Sequence, residues 1–567
     1  MVRARPVPVV VLVFVGLAVA ALAAYATSLA NAPVWDDVPV VVANPHLGSL
    51  SGLGRLWTSD LWSASAQGEP SSFYRPMTML SFWVNVAVFG RSAVWLRLGN
   101  VLIHAVNGML LALFARKAAG IEWRAAGLAA LLFVVAPIAS EPVLWISGRF
   151  DLLVVTFALA ALLASRVKGP LGLAVCLASV AAGLLSKESF TGWLPLLLVD
   201  DAFVRRASWR SLVAKYAAVA ALAAGYLALR AAIGIPSLGT LASTGARAFV
   251  ESFLFLVGAF LRELVWPSRL DPFRPYERLP LADLAVIAAA LASLFGAALV
   301  GLRRHRESAA ARLTVFGIAW FTFATLPSAV VGPTLAMVGD RYAYLPLVGL
   351  FVAAAAVLAG LDARGRRAGL AASGFAALVA IAWGALTSRH SRDWRDDATL
   401  AASSLASDPE NPYALYWLGS DAAQRGRFEE ADGLLGRSLA RNEGAWRTWN
   451  ALCYVRLNQD RFADAERACK ETTRLNDRNP RAWVNLASVY VRTHRWPEAL
   501  DAAEHATTLK PRYPEAHYLA GVAAMSTGLY PLATSHVAAG LVVEPTNPKL
   551  RDLERELVRR KNAAPLP

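Results

Sequence analysis

Cysteine is scarce: the chain holds three in 567 residues, at positions 176, 453 and 469. No Cys-x-x-Cys or Cys/His spacing accompanies them, which excludes zinc ribbons and disulfide-dense secreted scaffolds. They read as buried thiols, with a Cys453–Cys469 bridge as the alternative in an oxidising compartment. Charge is scarce too, at 17% of residues, where soluble domains carry about 25%. Acidic residues are the scarcer sign, 41 against 56 Lys and Arg, for a net charge of +15. Much of the basic excess sits in short loops between apolar runs, where it sets membrane orientation. Nucleic acid is therefore not expected as a partner. No inverted repeat or pair of broken apolar segments is evident, which argues against a transporter.

What the chain has in abundance is apolar sequence, 56% hydrophobic with a mean hydropathy of +0.43. A spanning helix needs about 20 apolar residues. Candidate spans lie at 8–29, 94–115, 125–139, 150–165, 171–186, 189–204, 216–233, 282–302, 313–331, 343–361 and 368–387. The first follows Arg3 and Arg5 and is expected to be retained, since a cleaved signal would have a shorter apolar core. Basic loops at Arg116-Lys117-Arg124, Arg166-Lys168, Arg205-Arg206-Arg210, Arg303-Arg304-Arg306 and Arg364-Arg366-Arg367 should all be cytoplasmic. They fall together only if a twelfth apolar stretch, 249–266, does not cross and is re-entrant or lies on the surface. About eleven crossings result. The segment 31–93 is then the first external loop, and everything beyond about 388 is external as well.

The final third repeats every 34 residues. Pro412, Pro480, Pro514 and Pro548 share a column, with Trp446 replacing Pro in the second unit. Ala431, Ala465, Ala499 and Ala533 form another, and Phe428, Phe462, Trp496 and Tyr530 a third. Gly419, Cys453, Ala487 and Gly521 form a small-residue column. This pattern resembles the tetratricopeptide repeat, whose paired helices approach closely only at small residues. Clear repeats cover 412–547, a polar capping helix follows at 548–562, and a degenerate unit is expected around Trp394. Stacked helix pairs make a concave groove suited to a protein segment. The expected architecture is all-α: a polytopic helical membrane domain over 1–390, then a tetratricopeptide α-solenoid over 391–567.

The polar residues that carry chemistry gather in the external loops. Trp35-Asp36-Asp37 follows the first span, where adjacent carboxylates are costly to bury. Phe73-Tyr74-Arg75-Pro76, Arg97-Leu98-Gly99-Asn100 with His104, Ser140-Glu141-Pro142, Gly148-Arg149-Phe150-Asp151, Ser186-Lys187-Glu188 and Gly339-Asp340-Arg341-Tyr342-Ala343-Tyr344-Leu345-Pro346 come later. In this order they resemble the glycosyltransferase C superfamily, and within it the transmembrane-and-tetratricopeptide O-mannosyltransferases and their bacterial relatives. The resemblance implies an inverting transfer of a sugar, mannose in the eukaryotic family, from a polyprenyl-phosphate donor. It places the Asp pair as the catalytic acidic motif, on the same side as the repeats. The sequence departs from the family at Ala136-Pro137, where His-Pro is expected.

The expected roles follow from charge. Asp36 or Asp37, with Asp36 favoured, takes the acceptor proton or organises a divalent cation such as Mg²⁺ or Mn²⁺, the one cofactor the pair admits. Arg75, Lys187 and Arg341 are candidates for the carrier phosphate, because cations stabilise an anionic leaving group. Glu141 and Glu188 bind sugar hydroxyls or pair with those cations. His104, Arg149 and Asp151 are further sugar or acceptor candidates, with a core role for His104 and an Arg149–Asp151 ion pair as the structural alternatives. The aromatic residues of 31–93 read as an interfacial anchor, with stacking on sugar faces as the alternative. The expected partners are a polyprenyl-phosphate-linked sugar, an acceptor or partner protein on the repeats, and the bilayer. The Ala- and Arg-rich composition suggests a bacterial inner membrane with periplasmic repeats; a eukaryotic source would mean the endoplasmic reticulum. Envelope polysaccharide or lipid glycosylation, and a non-catalytic scaffold recruiting partners, are the competing functions.

Overall fold

The computed structural model describes residues 8–66, 71–235, 245–268, 270–330, 333 and 337–563. Arg3 and Arg5 lie outside them. The chain is all-α, 78% helical, and divides into two compact units, Met1–Leu400 and Ala401–Pro567.

Among the described residues of the first unit, eight helices are long and apolar enough to cross a membrane, and the chain is a multi-pass membrane protein. Four of them, Ala93–Ala119, Ile146–Ala164, Ala309–Val330 and Asp340–Ala363, are mostly buried and form the centre of the bundle. Four others, Val9–Ser28, Trp209–Ala232, Leu281–Arg304 and Arg366–His390, turn most of their apolar surface outward. Exposed Leu12, Val15, Val213, Leu227, Val286, Phe375 and Ile381 belong to these outer helices. A helix apolar all round belongs in lipid.

The expected spans at 125–139, 171–186 and 189–204 are carried by shorter helices: Trp123–Val135, Pro170–Leu184, and Phe190–Val199 continued by a π-turn at Asp200–Val204. Pro137 begins a 3₁₀ turn after the first of these, since proline lacks the N–H a helix interior needs. The stretch expected as re-entrant or superficial is one continuous helix, Ala246–Val265, carrying Arg247, Glu251, Arg262 and Glu263. It packs against the helix Leu281–Arg304 and the turn Leu326–Val330. The loops expected to be external are built from short pieces, which include the helices Leu50–Thr58 and Pro76–Phe89, a two-residue antiparallel pairing of Arg274–Pro275 with Met337–Val338, and the 3₁₀ turn Asp340–Ala343. The aromatic residues of 31–93 are not simply an interfacial anchor. Tyr74 and Phe82 are fully buried, and Trp57, Trp62 and Trp83 half-buried. Phe82 belongs to a local apolar cluster with Val40, Leu56, Met79 and Phe150.

The second unit is a stack of helix pairs. They run Pro412–Gln424 with Phe428–Arg441, Trp446–Asn458 with Phe462–Leu475, Pro480–Arg492 with Trp496–Leu509, and Pro514–Ser526 with Tyr530–Val543, closed by Pro548–Ala563. Asn411 and Asn479 cap their helices by accepting backbone N–H bonds just ahead of the column prolines, the arrangement N-caps favour. Within each pair the turn reverses through a left-handed residue, Gly426, Asp460, His494 and Gly528, at φ 74, 58, 56 and 80°. One expectation is corrected here. Cys453 and Cys469 are bonded to each other, because the two helices of their pair place the Cα atoms 5.1 Å apart, within disulfide reach. Trp394, where a degenerate unit is expected, is fully buried against Trp35 and His390 and is followed by the helix Asp397–Ser407. Cys176 remains a buried thiol.

Candidate active site

Trp35 organises the loop that follows the first helix. Its backbone is left-handed, φ 50°, a conformation that costs a non-glycine residue about 1–2 kcal/mol. The surroundings fix it. Its N–H donates to Asp397 Oδ1 at 3.0 Å, and its ring meets those of Trp145, Phe273 and Trp394 at 5.7, 4.8 and 5.2 Å, edge to face. Three separate segments thus converge on one indole. Arg97, fully buried, donates to the carbonyls of Asn31, Ala32 and Leu144 and holds the same loop from beneath.

The two aspartates that follow are unequal. Asp37 is fully buried. Its Oδ1 accepts from the Ser147 N–H and hydroxyl, both at 2.8 Å, and its Oδ2 from the Val34 N–H at 3.1 Å. Burial pushes its carboxyl up to about 6, against the downward pull of those donors and of Arg97. Asp36 is half-buried, the more accessible of the two.

Each cation expected to meet a phosphate is already held by a carboxylate. Arg75 turns Nε and Nη2 to Glu188 Oε2 at 3.1 and 3.0 Å. Glu188 Oε1 also accepts from the Tyr74 N–H at 2.8 Å and lies 3.8 Å from Arg230. Lys187 Nζ sits 2.5 Å from Asp151 Oδ1. Arg341 gives Nη1 to Glu141 Oε1 at 2.5 Å and its backbone N–H to Oε2 at 2.7 Å. Gly339 permits that approach, because a Cβ there would lie 2.9 Å from the Glu141 carboxylate and closer still to the guanidinium. The pairs share aromatic walls. Arg341 and Lys187 both face the Tyr342 ring, at 4.8 and 5.3 Å, Arg341 also faces Trp145 at 5.3 Å, and Arg75 lies 4.5 Å from the Phe150 ring.

The segment 145–151 ties everything together. Trp145 meets Trp35 and Arg341, Ser147 holds Asp37, Phe150 backs Arg75, and Asp151 pairs Lys187. Glu141 and Glu188 therefore pair with the cations, one of the two roles expected of them. The Arg149–Asp151 ion pair is not formed. Residues two apart on a helix point to different sides, and the Arg149 guanidinium runs into the bundle to Asn100 Oδ1, Asn85 Oδ1 and the Leu96 carbonyl. Nor does His104 reach the site: it is fully buried, bonded to the Tyr344 hydroxyl at 2.7 Å and the Val134 carbonyl at 2.9 Å, a core role.

Among the described residues no group of three His, Cys, Asp or Glu is placed to hold an ion. Asp37 accepts three N–H and O–H donors on its two oxygens.

Several participants were missed in the sequence. Ser147 carries no signal of its own. Arg274, which bonds Asp340 Oδ1 at 2.9 Å and lies 3.5 Å from Glu263, sits in a polar loop. Arg230, in the last turn of the helix Trp209–Ala232 after a long apolar run, was detectable, since a cation within a spanning helix marks function by default.

A tetratricopeptide-repeat family profile matches residues 450–511 and 484–541. Protein O-mannosyl-transferase F38B6.6 of Caenorhabditis elegans is 25% identical over 425 residues, covering 72% of this chain and 59% of that protein. The chain resembles the tetratricopeptide-bearing protein O-mannosyl-transferases. Mouse protein O-mannosyl-transferase TMTC3 is 35% identical over 150 residues, 26% of this chain and 16% of its own length; human TMTC4 is 32% identical over 157 residues, 25% and 21%. The chain thus spans about three-fifths of the first relative and a smaller share of the others. Among solved structures, MamA is 22% identical and covers 26% of this chain and 81% of its own, with a TM-score of 0.25. A thermophilic tetratricopeptide protein of Thermus thermophilus is 20% identical, covers 31% and 94%, and has a TM-score of 0.26.

Proposed function

We propose that the chain is a membrane glycosyltransferase that moves a sugar, mannose by its resemblance, from a polyprenyl-phosphate carrier to protein hydroxyls on the non-cytoplasmic face. The observation that carries this reading is the assembly around residues 145–151. One half-buried carboxylate, Asp36, lies beside a buried one, in a loop whose partner segment also backs three cations held in fixed poses.

The chemistry is a single displacement. The acceptor oxygen attacks the sugar anomeric carbon, the bond to the carrier phosphate breaks, and the hydroxyl proton passes to Asp36. Asp37 is a positioning residue that fixes the loop through Ser147 and Val34. The leaving phosphate gains charge as the bond breaks, and Arg75, Lys187 and Arg341 stabilise it. Their carboxylate partners preorganise them, so little reorientation is left for the transition state. Guanidinium groups keep further N–H donors beyond the paired ones. The repeats present a half-buried aromatic and polar surface, with Trp417, Tyr416 and Asn485 on the first helices of their pairs, suited to an acceptor or partner segment. Loop charge and the Cys453–Cys469 bond both support an external, oxidising location for them.

The test is transfer of labelled mannose from a polyprenyl-phosphate donor to an acceptor protein by the full chain in liposomes. Asp36→Asn is expected to abolish it while the protein stays folded. Unchanged transfer by that variant removes Asp36 from the chemistry. Label appearing only in polysaccharide or lipid replaces the protein acceptor.

A further inference from the structure

At the end of the bundle where loop charge places the cytoplasm, acidic residues are largely consumed. Asp200 binds Arg166 through both oxygens at 2.7 Å. Asp201, fully buried, accepts from Lys215 at 2.6 Å, Tyr216 at 2.9 Å and Arg205. These contacts anchor the π-turn Asp200–Val204. The chain then leaves through Arg206 in a left-handed conformation, φ 56°, so the neighbouring Arg205 and Arg206 diverge. Arg205 returns to Asp201, and Arg206 lines a cavity of about 350 Å³.

Arg303, Arg306 and Arg312 line the same cavity, with Phe203 and Leu302 as apolar wall. Among the described residues no carboxylate pairs with Arg303, Arg306 or Arg312; Glu307, 86% exposed, pairs with Arg206 at 3.2 Å. The pocket keeps a surplus of about three positive charges when that pair is counted as neutral. Arg312 Nε is buried without a hydrogen-bond partner, and its Nη1 reaches only the Arg306 carbonyl at 3.4 Å. Buried donors are normally satisfied, and clustered guanidiniums repel one another unless an anion sits among them. Converging guanidinium forks match phosphate oxygens. The flanking helices carry exposed Val213, Leu299 and Val300, and Trp209, three residues beyond Arg206 in the chain, is exposed, as tryptophan is at headgroup level.

We infer that this pocket binds the phosphate of an anionic lipid headgroup in the cytoplasmic leaflet, away from the candidate active site. The shared chemistry is a phosphate ester; the apolar wall and the lipid-facing helices favour a lipid over a soluble phosphate.

The test uses the full chain purified in detergent and examined by native mass spectrometry with phosphatidylglycerol or phosphatidylcholine added. Retention of phosphatidylglycerol over phosphatidylcholine is expected. Arg303→Gln/Arg306→Gln/Arg312→Gln should lose it, while Arg364→Gln/Arg366→Gln/Arg367→Gln, an equal charge loss at another basic turn, should keep it. If the first variant fails to fold, Arg303→Lys/Arg306→Lys/Arg312→Lys keeps the charge and removes the forks, and should show weakened retention. Equal loss in both Gln variants, or undiminished retention in the Lys variant where that one is needed, overturns the site. Displacement of the lipid by millimolar glycerol phosphate overturns the lipid as its occupant.

Discussion

Asp36 and Asp37 are neighbours with opposite duties, and substitution separates them. Asp36→Asn should stop transfer while the chain stays folded. Asp37→Asn presents an amide N–H₂ where the Val34 N–H or the Ser147 donors need an acceptor. An orphaned buried donor costs about 1–3 kcal/mol, so a lower melting temperature should accompany the loss of transfer. The Asp37 carboxyl, held near 6 by burial, adds a pH signature. A carboxyl raised from 3.8 to about 6 binds its proton more tightly folded than unfolded. Its contribution to stability therefore declines as pH rises through that window and is constant above it. Transfer should move the opposite way, rising toward pH 6 as Asp37 ionises and accepts all three donors. Melting curves and initial rates between pH 5 and 8 measure both; parallel rather than opposed trends would remove Asp37 from control of the rate.

At the scale of elements, the three cation–carboxylate pairs join segments far apart in sequence: Arg75 to Glu188, Asp151 to Lys187 and Glu141 to Arg341. Every partner was legible as a charged residue in an apolar chain, because such residues are rarely kept without a role. Who pairs with whom was not, since the pairing depends on bundle geometry. Hence Arg149 and Asp151, close in sequence, part company on their helix, and His104 disappears into the core. Removing one partner of a buried pair costs about 3–5 kcal/mol. Lys187→Met should therefore destabilise strongly, and Lys187→Met/Asp151→Leu should recover much of the melting temperature without recovering transfer. If the double variant also transfers normally, the pair is structural alone. The repeats offer a gain instead. His494 holds φ 56° where the first and last repeats use glycine. His494→Gly should raise the thermal stability of the second unit by up to about 1 kcal/mol, because glycine carries no steric cost there.

The whole chain presents two signals of compartment that arise from different chemistry. Basic residues cluster in alternate loops when the helix Ala246–Val265 is counted as not crossing, and on that count the positive-inside tendency expects the segment beyond about residue 388 outside the cytoplasm. Cys453 and Cys469 are bonded within one helix pair, and structural disulfides persist mainly in oxidising compartments. The repeat period was plain in the sequence because each column has a packing reason. The bond was not, because a cysteine in a small-residue column satisfies packing equally well as a thiol. Alanine fits both positions by the pattern of the other repeats, where Ala487 and Ala503 are fully buried. Cys453→Ala/Cys469→Ala thus isolates the bond from the packing. Closing a loop of about 15 residues restricts the unfolded chain by about 3 kcal/mol, so the variant should melt several degrees lower under oxidising conditions and match the unaltered chain under reductant. Peptide mapping of protein taken from membranes with thiols blocked at lysis should recover 453 and 469 linked. Recovery of both as free thiols, with a reporter at the C-terminus active only in the cytoplasm, would invert the topology and with it the side on which the proposed transfer takes place.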